Sequence, residues 1–206
     1  MSALASRVGS TDRGDSGRQA GETRSRILDI AERLVQIRGF NGFSYADIAA
    51  ELGVTKASLH YHFPSKAELG DALIALYSSR FADALGTIDR DTTNPRDKLD
   101  AYVNIYSEVL RGDRMCLCGM LAAEYETLPH SMAEAITQFF RENEAWLTNV
   151  VAQGQADGSL SNGVTPSDAS QMLLSGLEGA MLIARTLGGL PRFQSSARRL
   201  LEILNP

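Results

Sequence analysis

The sequence predicts an all-α chain of about nine helices, with an N-terminal three-helix, helix-turn-helix head followed by a C-terminal helical bundle. Three observations carry that prediction. Apolar residues recur at three- and four-residue spacing through most segments. No segment sustains the period-two alternation with β-branched residues that a strand requires. Helix starts are marked by caps and prolines at Ser44, Thr55, Ser65, Asn94-Pro95, Pro129, Thr165-Pro166 and Pro191. The chain's 206 residues suffice for one large or two modest domains.

Residues 1–21 are rich in Ser, Gly, Arg and Asp with almost no apolar side chains, a composition that predicts a disordered, solvated tail; its Arg7, Arg13 and Arg18 are alternatively a minor-groove arm. From Glu22 to Arg38, Ile27, Ile30, Ala31, Leu34 and Val35 fall on one helical face, and Gly39 closes the helix. Phe40 and Phe43 form an aromatic hinge after it. Next, Ser44 with Asp47 makes a capping box, and Ile48, Ala49 and Leu52 share a face. Gly53 takes a left-handed turn at low cost, Val54 tucks into the angle, and Thr55 caps a second short helix over 56–63. That helix presents Lys56, Ser58, His60, Tyr61 and His62 outward and keeps Leu59 and Phe63 inward, the composition of a recognition helix. Ser65 and Glu68 open a helix of more than five turns through Leu69, Leu73, Ile74, Tyr77, Phe81 and Leu85, a lever from head to body. The remaining breaks divide the body into helices near 95–111, 115–127, 129–154, 166–187 and 191–203.

The formal net charge of −5 is unevenly distributed. Residues 1–66 hold 9 Lys/Arg against 7 Asp/Glu, while the remainder holds 11 against 18. A mildly basic head on an acidic body suits a protein whose small head alone meets phosphates. No stretch approaches 18 uninterrupted apolar residues, so neither a membrane span nor a signal peptide is expected and a cytoplasmic location is. Two cysteines, Cys116 and Cys118, make no disulfide framework.

The run Ile48-Ala49, Gly53-Val54-Thr55-Lys56, Leu59 and Tyr61-His62-Phe63-Pro64-Ser65-Lys66 resembles the tetracycline-repressor (TetR/AcrR) family of transcriptional regulators. The resemblance is strong over residues 22 to about 75 and beyond that rests on the succession of helices. It implies a DNA-binding head at 22–66 and a ligand-binding and dimerisation domain at 67–206. It further implies DNA contact from Ser44, Tyr45, Thr55, Lys56, Ser58, His60, Tyr61, His62 and Lys66. Among these, Lys56 and Ser58 near the N-terminal end of the recognition helix are the choices for base contact, and Tyr61, His62 and Lys66 for the backbone. Ala57 stands where the family often has Gly, and His60 where Tyr is common. The implied partners are double-stranded DNA carrying a palindromic operator, a small-molecule effector and a second copy of the chain.

In the body, Gly176, Gly179, Ala180 and Ile183 with Phe193, Ala197, Leu200 and Leu201 are candidates for a two-fold four-helix interface, although the small residues equally suit a neighbour within the chain. Candidates for an effector cavity are Tyr77, Phe81, Tyr102, Tyr106, Met115, Cys116, Met120, Trp146, Met172 and Met181, with Glu124 or Glu178 as a polar anchor; plain core is the alternative for each. Cys116 lies near a helix start beside Arg114, which would favour a reactive thiolate and redox or electrophile sensing by Cys116 and Cys118. A thiol-dependent enzyme is the competing class, and it lacks a Cys-x-x-Cys, a phosphate loop or a Gly-x-Ser-x-Gly; no metal or cofactor is called for.

Overall fold

In the computed structural model, which describes residues 12–206, the first helix, α1 (Asp12–Arg38), starts ahead of the predicted Glu22. Residues 12–21 are therefore helix and not disordered tail. Ile27, Leu28, Ala31, Leu34 and Val35 are buried and fix the C-terminal half of α1. Once a helix is nucleated, each added residue gains a hydrogen bond for one residue ordered, and no proline lies between 12 and 21 to stop it. The rest of the expected tail, 1–11 with Arg7, and the side chain of Arg13 lie outside the described residues; Arg18 is exposed on α1.

Helices α2 (Tyr45–Leu52) and α3 (Lys56–His62) follow as predicted. The Ser44–Asp47 capping box opens α2, and Gly53, at φ 73°, makes the left-handed turn that only glycine adopts without strain. Thr55 caps α3 by accepting a hydrogen bond from the Ser58 N–H. Ile48, Leu52, Leu59 and Phe63 are buried, and α2, packed on both α1 and α3, completes the head. Burial of each such side chain contributes roughly 1.5–3 kcal/mol, whereas the exposed pair of Arg80 with Asp29 contributes at most about 1 kcal/mol. Packing, not charge, holds the head.

The lever is α4 (Lys66–Asp91), and the body adds α5 (Pro95–Arg111), α6 (Leu117–Ala122), α7 (His130–Asp157), α8 (Pro166–Thr186) and α9 (Gly189–Glu202). Among the described residues there are nine α-helices and no strand. The expected helix over 115–127 is instead the short α6 and a 3-10 turn at Tyr125–Thr127. The chain leaves α6 where Glu124 turns aside to bond the loop after α1. In the body α8 packs between α7 and α9, with α5 against α7 and α9 and with α4 across α7. The head meets the body through both α4 and α6, since α1 packs on each. No helix among the described residues is long and apolar enough to cross a membrane.

Candidate nucleic-acid interface and buried polar site

Helix α3 is short, so its outward face is set by two inward residues. Leu59 and Phe63 are buried, which leaves Lys56, His60 and Tyr61 exposed and Ser58 and His62 half-buried. Tyr61 is 80% exposed, with its ring edge-on to His62 at 5.2 Å. His60 lies over Tyr45 at 4.7 Å, and its Nδ1 is 3.2 Å from the Pro64 carbonyl, so one ring nitrogen is engaged within the head. Ser44 and Thr55 are exposed caps. Ser44, Tyr45, Lys56, His60 and Lys66 line a depression of about 370 Å³ at the start of α2. It brings an ammonium, an imidazole and a helix N-terminus to one patch, an arrangement that attracts an anion.

Two of the expected DNA contacts turn inward. Tyr45 is buried, and its hydroxyl lies 2.8 Å from the Phe63 carbonyl and 2.7 Å from that of Ser65. Burial pushes its pKa up to about 12. Its task is to tie α2 to the exit of α3. Lys66 donates to the carbonyls of Phe40 and Phe43, and its ammonium sits over both rings at 4.7 and 4.2 Å. Desolvation pulls its pKa down while Glu124 and Asp47 offset part of that shift. Lys66 staples the aromatic hinge shut, with two of its three donors held by backbone carbonyls and its charge over the two rings.

Glu124 belongs to the same hinge and not to an effector cavity. Its carboxylate accepts from the Phe40 N–H at 2.6 Å and from the Asn41 N–H at 3.2 Å. Gly39, at φ 81°, leaves room for it, because a Cβ there would stand 2.7 Å from Glu124 Oε1. The body holds the end of α1 at two further points: the Met115 N–H donates to the Gln36 carbonyl, and Arg185 donates to the Ile37 carbonyl at 2.6 Å. Neither Glu124 nor Arg185 carries a local sequence signal for this role, since both bonds span distant parts of the chain.

Most of the expected cavity residues do converge. Phe81 packs edge-on to Tyr102, Tyr106 and Phe139 at 5.1 to 6.4 Å, and Tyr77 lies beside Phe81 and Phe139. Phe139 was not among the expected residues, although its helical spacing with Ile136 and Asn143 marks it as inward. The Tyr77 hydroxyl reaches Cys116 Sγ at 3.7 Å, and the Cys116 N–H reaches Met181 Sδ at 3.1 Å. Tyr102 donates to Asn143 Oδ1, which leaves the Tyr106 hydroxyl between Tyr102, 3.2 Å away, and Glu178. Glu178 is the polar member of the cluster. Burial raises its pKa to about 7, with Cys116 and Tyr106 pulling the other way, and Oε1 is sealed from solvent with no hydrogen-bond partner. Met115 is buried at the seam with α1, and Met120 and Met172 are half-buried. Trp146 stacks on the outer side of Tyr102 at 5.5 Å and donates to Asp89.

The cysteines do not meet the expectation of a reactive thiolate. Both are buried, and burial followed by the nearby Glu178 carboxylate pushes both thiols well above their ordinary range. Arg114 turns away to the Gln36 side chain. Cys116 does cap α6, accepting from the Gly119 N–H at 3.5 Å, but desolvation outweighs that end of a six-residue helix.

The proposed subunit-facing residues divide in two. Phe193, Ala197 and Leu201 are buried in their own chain, with Phe193 stacked on Tyr106, so these three are core. Gly176 admits Leu200 of the same chain, as a Cβ there would stand 2.7 Å from it. Gly179, Ala180, Ile183 and Leu200 line an open groove of about 620 Å³ with Ile203. Leu182, Ile183, Leu187 and Ile203 are each about half exposed.

Residues 27–73 match the family described as bacterial regulatory proteins, tetR family, and residues 95–200 match the tetracyclin repressor-like C-terminal domain. The crystal structure of a TetR-family transcriptional regulator from Agrobacterium tumefaciens superposes with a TM-score of 0.88 at 30% identity, over 91% of this chain and all of that one. The HTH-type transcriptional repressor DhaR of Mycobacterium sp. (strain GP1) is 24% identical over 77% of this chain and 80% of its own. The HTH-type transcriptional regulator LmrA of Bacillus subtilis (strain 168) is 25% identical over 81% of this chain and 88% of its own.

Proposed function

The chain belongs to the tetR family of bacterial regulatory proteins, and on that premise we propose that it works as a homodimeric repressor, releasing a palindromic operator when a small, largely apolar molecule enters its body. It is a DNA-binding transcriptional regulator with a helix-turn-helix head and a ligand-binding C-terminal domain. Repression is favoured because DhaR, a relative across most of the chain, is a repressor.

The observation that carries the DNA reading is the outward face of α3, where Lys56 and Tyr61 stand free while Leu59 and Phe63 hold the helix to the head. In this reading Lys56 and Ser58 meet base edges; Ser44, Thr55, His60, Tyr61 and His62 meet the phosphate backbone. Residues 22–66 read DNA, and 67–206 bind the effector and the second subunit. Two copies paired across the groove of α8 and α9 would set two α3 helices on successive major grooves. An effector then has only to bind the DNA-incompetent arrangement more tightly, by a few kcal/mol, to release the operator.

Selection of duplexes from a random pool, followed by fluorescence anisotropy on the enriched sequence, tests this. The expected product is an inverted repeat, bound at least about 10-fold more weakly by Lys56→Ala. A chain that enriches no sequence is not the regulator proposed.

A further inference from the structure

Glu178 Oε1 is the one buried side-chain polar atom among the described residues that has no hydrogen-bond partner. Part of the Glu178 stem reaches the surface of α8, but the carboxylate points inward and Oε1 is shut off from solvent. Tyr106 and Cys116 bear on the carboxylate but not on Oε1, so the ionised group keeps one acceptor with no donor to meet, and a lone acceptor in such a place needs an explanation. The groups facing it are Tyr77 from α4, Tyr102 and Tyr106 from α5, and Cys116 and Cys118 at the start of α6. The hydroxyls of Tyr77 and Tyr102 are committed to Cys116 and Asn143, and that of Tyr106 is shared with Tyr102. No Lys or Arg among the described residues bears on it.

We propose that Glu178 anchors a protonated amine with an apolar body, and that α6 relays the amine's arrival to the head through Glu124. The proposal rests on the effector-responsive reading above. An ammonium N–H supplies both what Oε1 lacks, a donor, and what the cluster lacks, a positive charge. Phe81 and Phe139, packed beside the three tyrosines, suit an apolar body. An alcohol brings a donor without the charge, a hydrocarbon or an anion brings neither, and a quaternary ammonium brings charge without an N–H.

The relay follows from two close approaches on one short helix. A Cβ on Gly119 would stand 2.3 Å from Glu178 Oε2, so the carboxylate occupies the notch that this glycine leaves in α6. At the other end of α6, Glu124 holds the Phe40 and Asn41 amides. A group inserted at Glu178 presses on α6, and its displacement loosens the loop that sets the angle of the head. Glu178 is thus the effector anchor and Glu124 a positioning residue.

The test uses the full-length dimer and the duplex enriched above, with phenethylamine, 2-phenylethanol and propylbenzene at millimolar concentration as probes. Phenethylamine should weaken duplex binding at least about 10-fold and the two neutral molecules less than about 2-fold. Glu178→Gln and Glu178→Met should each reduce the phenethylamine response to within about 2-fold of none, and Glu178→Met should raise Tm by a few degrees because the bare acceptor is gone. Glu124→Gln should keep the thermal shift caused by phenethylamine while losing its effect on the duplex. Equal responses to the amine and the neutral molecules, a response that survives Glu178→Gln, or a lower Tm in Glu178→Met would each overturn the proposal. If a duplex is enriched and bound but phenethylamine leaves it in place, this inference fails alone; if none is enriched, the regulator reading fails first.

Discussion

The Glu124 carboxylate accepts a hydrogen bond from the Phe40 amide 84 residues away, at 2.6 Å, and so fastens the ligand-binding body to the first turn after α1. The same carboxylate takes the Asn41 amide, while Lys66 takes the carbonyls of Phe40 and Phe43 on the other side of the loop. A loop clamped at its donors by the body and at its acceptors by the lever transmits movement of either. Replacing Glu124 by Ala leaves two amides unpaired at a partly buried seam, which should cost about 1–3 kcal/mol. Denaturant unfolding should show that loss, and the operator response to effector should shrink with it. An unchanged unfolding midpoint would mean that water serves the amides as well as Glu124 does.

Lys56 and Lys66 should separate in salt titrations of DNA binding. Lys56 is exposed on the reading face, where its ammonium neutralises phosphate charge as it reaches a base edge, so Lys56→Ala should reduce the slope of log affinity against log salt by about 1. Lys66 has its ammonium in the hinge, so Lys66→Met should weaken binding through the shape of the head and leave that slope unchanged. A reduced slope for Lys66→Met would return this residue to the phosphate contacts.

The contrast between these two lysines also marks how far the sequence can be read. Caps, prolines and apolar spacing are local, so the starts of α2, α3, α4, α5 and α8 stand in the sequence at Ser44, Thr55, Ser65, Asn94 and Thr165, where the structure places them. Periodicity also finds the inward faces, and hence most of the cluster around Phe81. It cannot say which end of a long or amphipathic side chain is used. Tyr45, Lys66 and Glu124 each have a polar tip that finds backbone groups far away in the chain, a choice made by tertiary approach alone. The cysteines fail for a related reason: a helix start is legible, but the depth at which it is buried is not. In the last two helices the apolar residues are plain, and only packing divides Phe193 and Ala197, which are core, from Ile183 and Leu182, which are open.

That division gives a prediction for assembly. Ile183 is 47% exposed in the groove, so a glutamate there disturbs little within one chain. In a dimer closed across the groove it would place two like charges in an apolar interface, each costing several kcal/mol unpaired. Ile183→Glu should therefore keep its helical circular dichroism and raise the dimer dissociation constant by about 100-fold or more, read by sedimentation. Phe193→Ala should instead lower stability, by about 3–5 kcal/mol, because Phe193 fills its own core. A dimer indifferent to Ile183→Glu would move the interface elsewhere.

Glu178 should leave a signature in stability against pH. Its pKa rises from 4.5 in the unfolded chain to about 7 in the folded one because burial disfavours the charge. Between those values the folded protein keeps a proton that the unfolded chain has released. Stability from this group is therefore full below about pH 4.5, falls as pH rises toward 7, and stays flat above, a loss on the order of 3 kcal/mol. The neighbouring tyrosines and cysteines are shifted upward and do not titrate in that window. Asp47 and Asp89 are shifted downward and act below it. Glu32 is also raised, by partial burial beside Arg80, but it is present in both proteins of the comparison, so its contribution cancels. Urea unfolding of wild type and Glu178→Gln at pH 5 and pH 8 isolates the effect. The variant should gain on wild type as pH rises, and parallel profiles would show that the carboxylate is solvated after all.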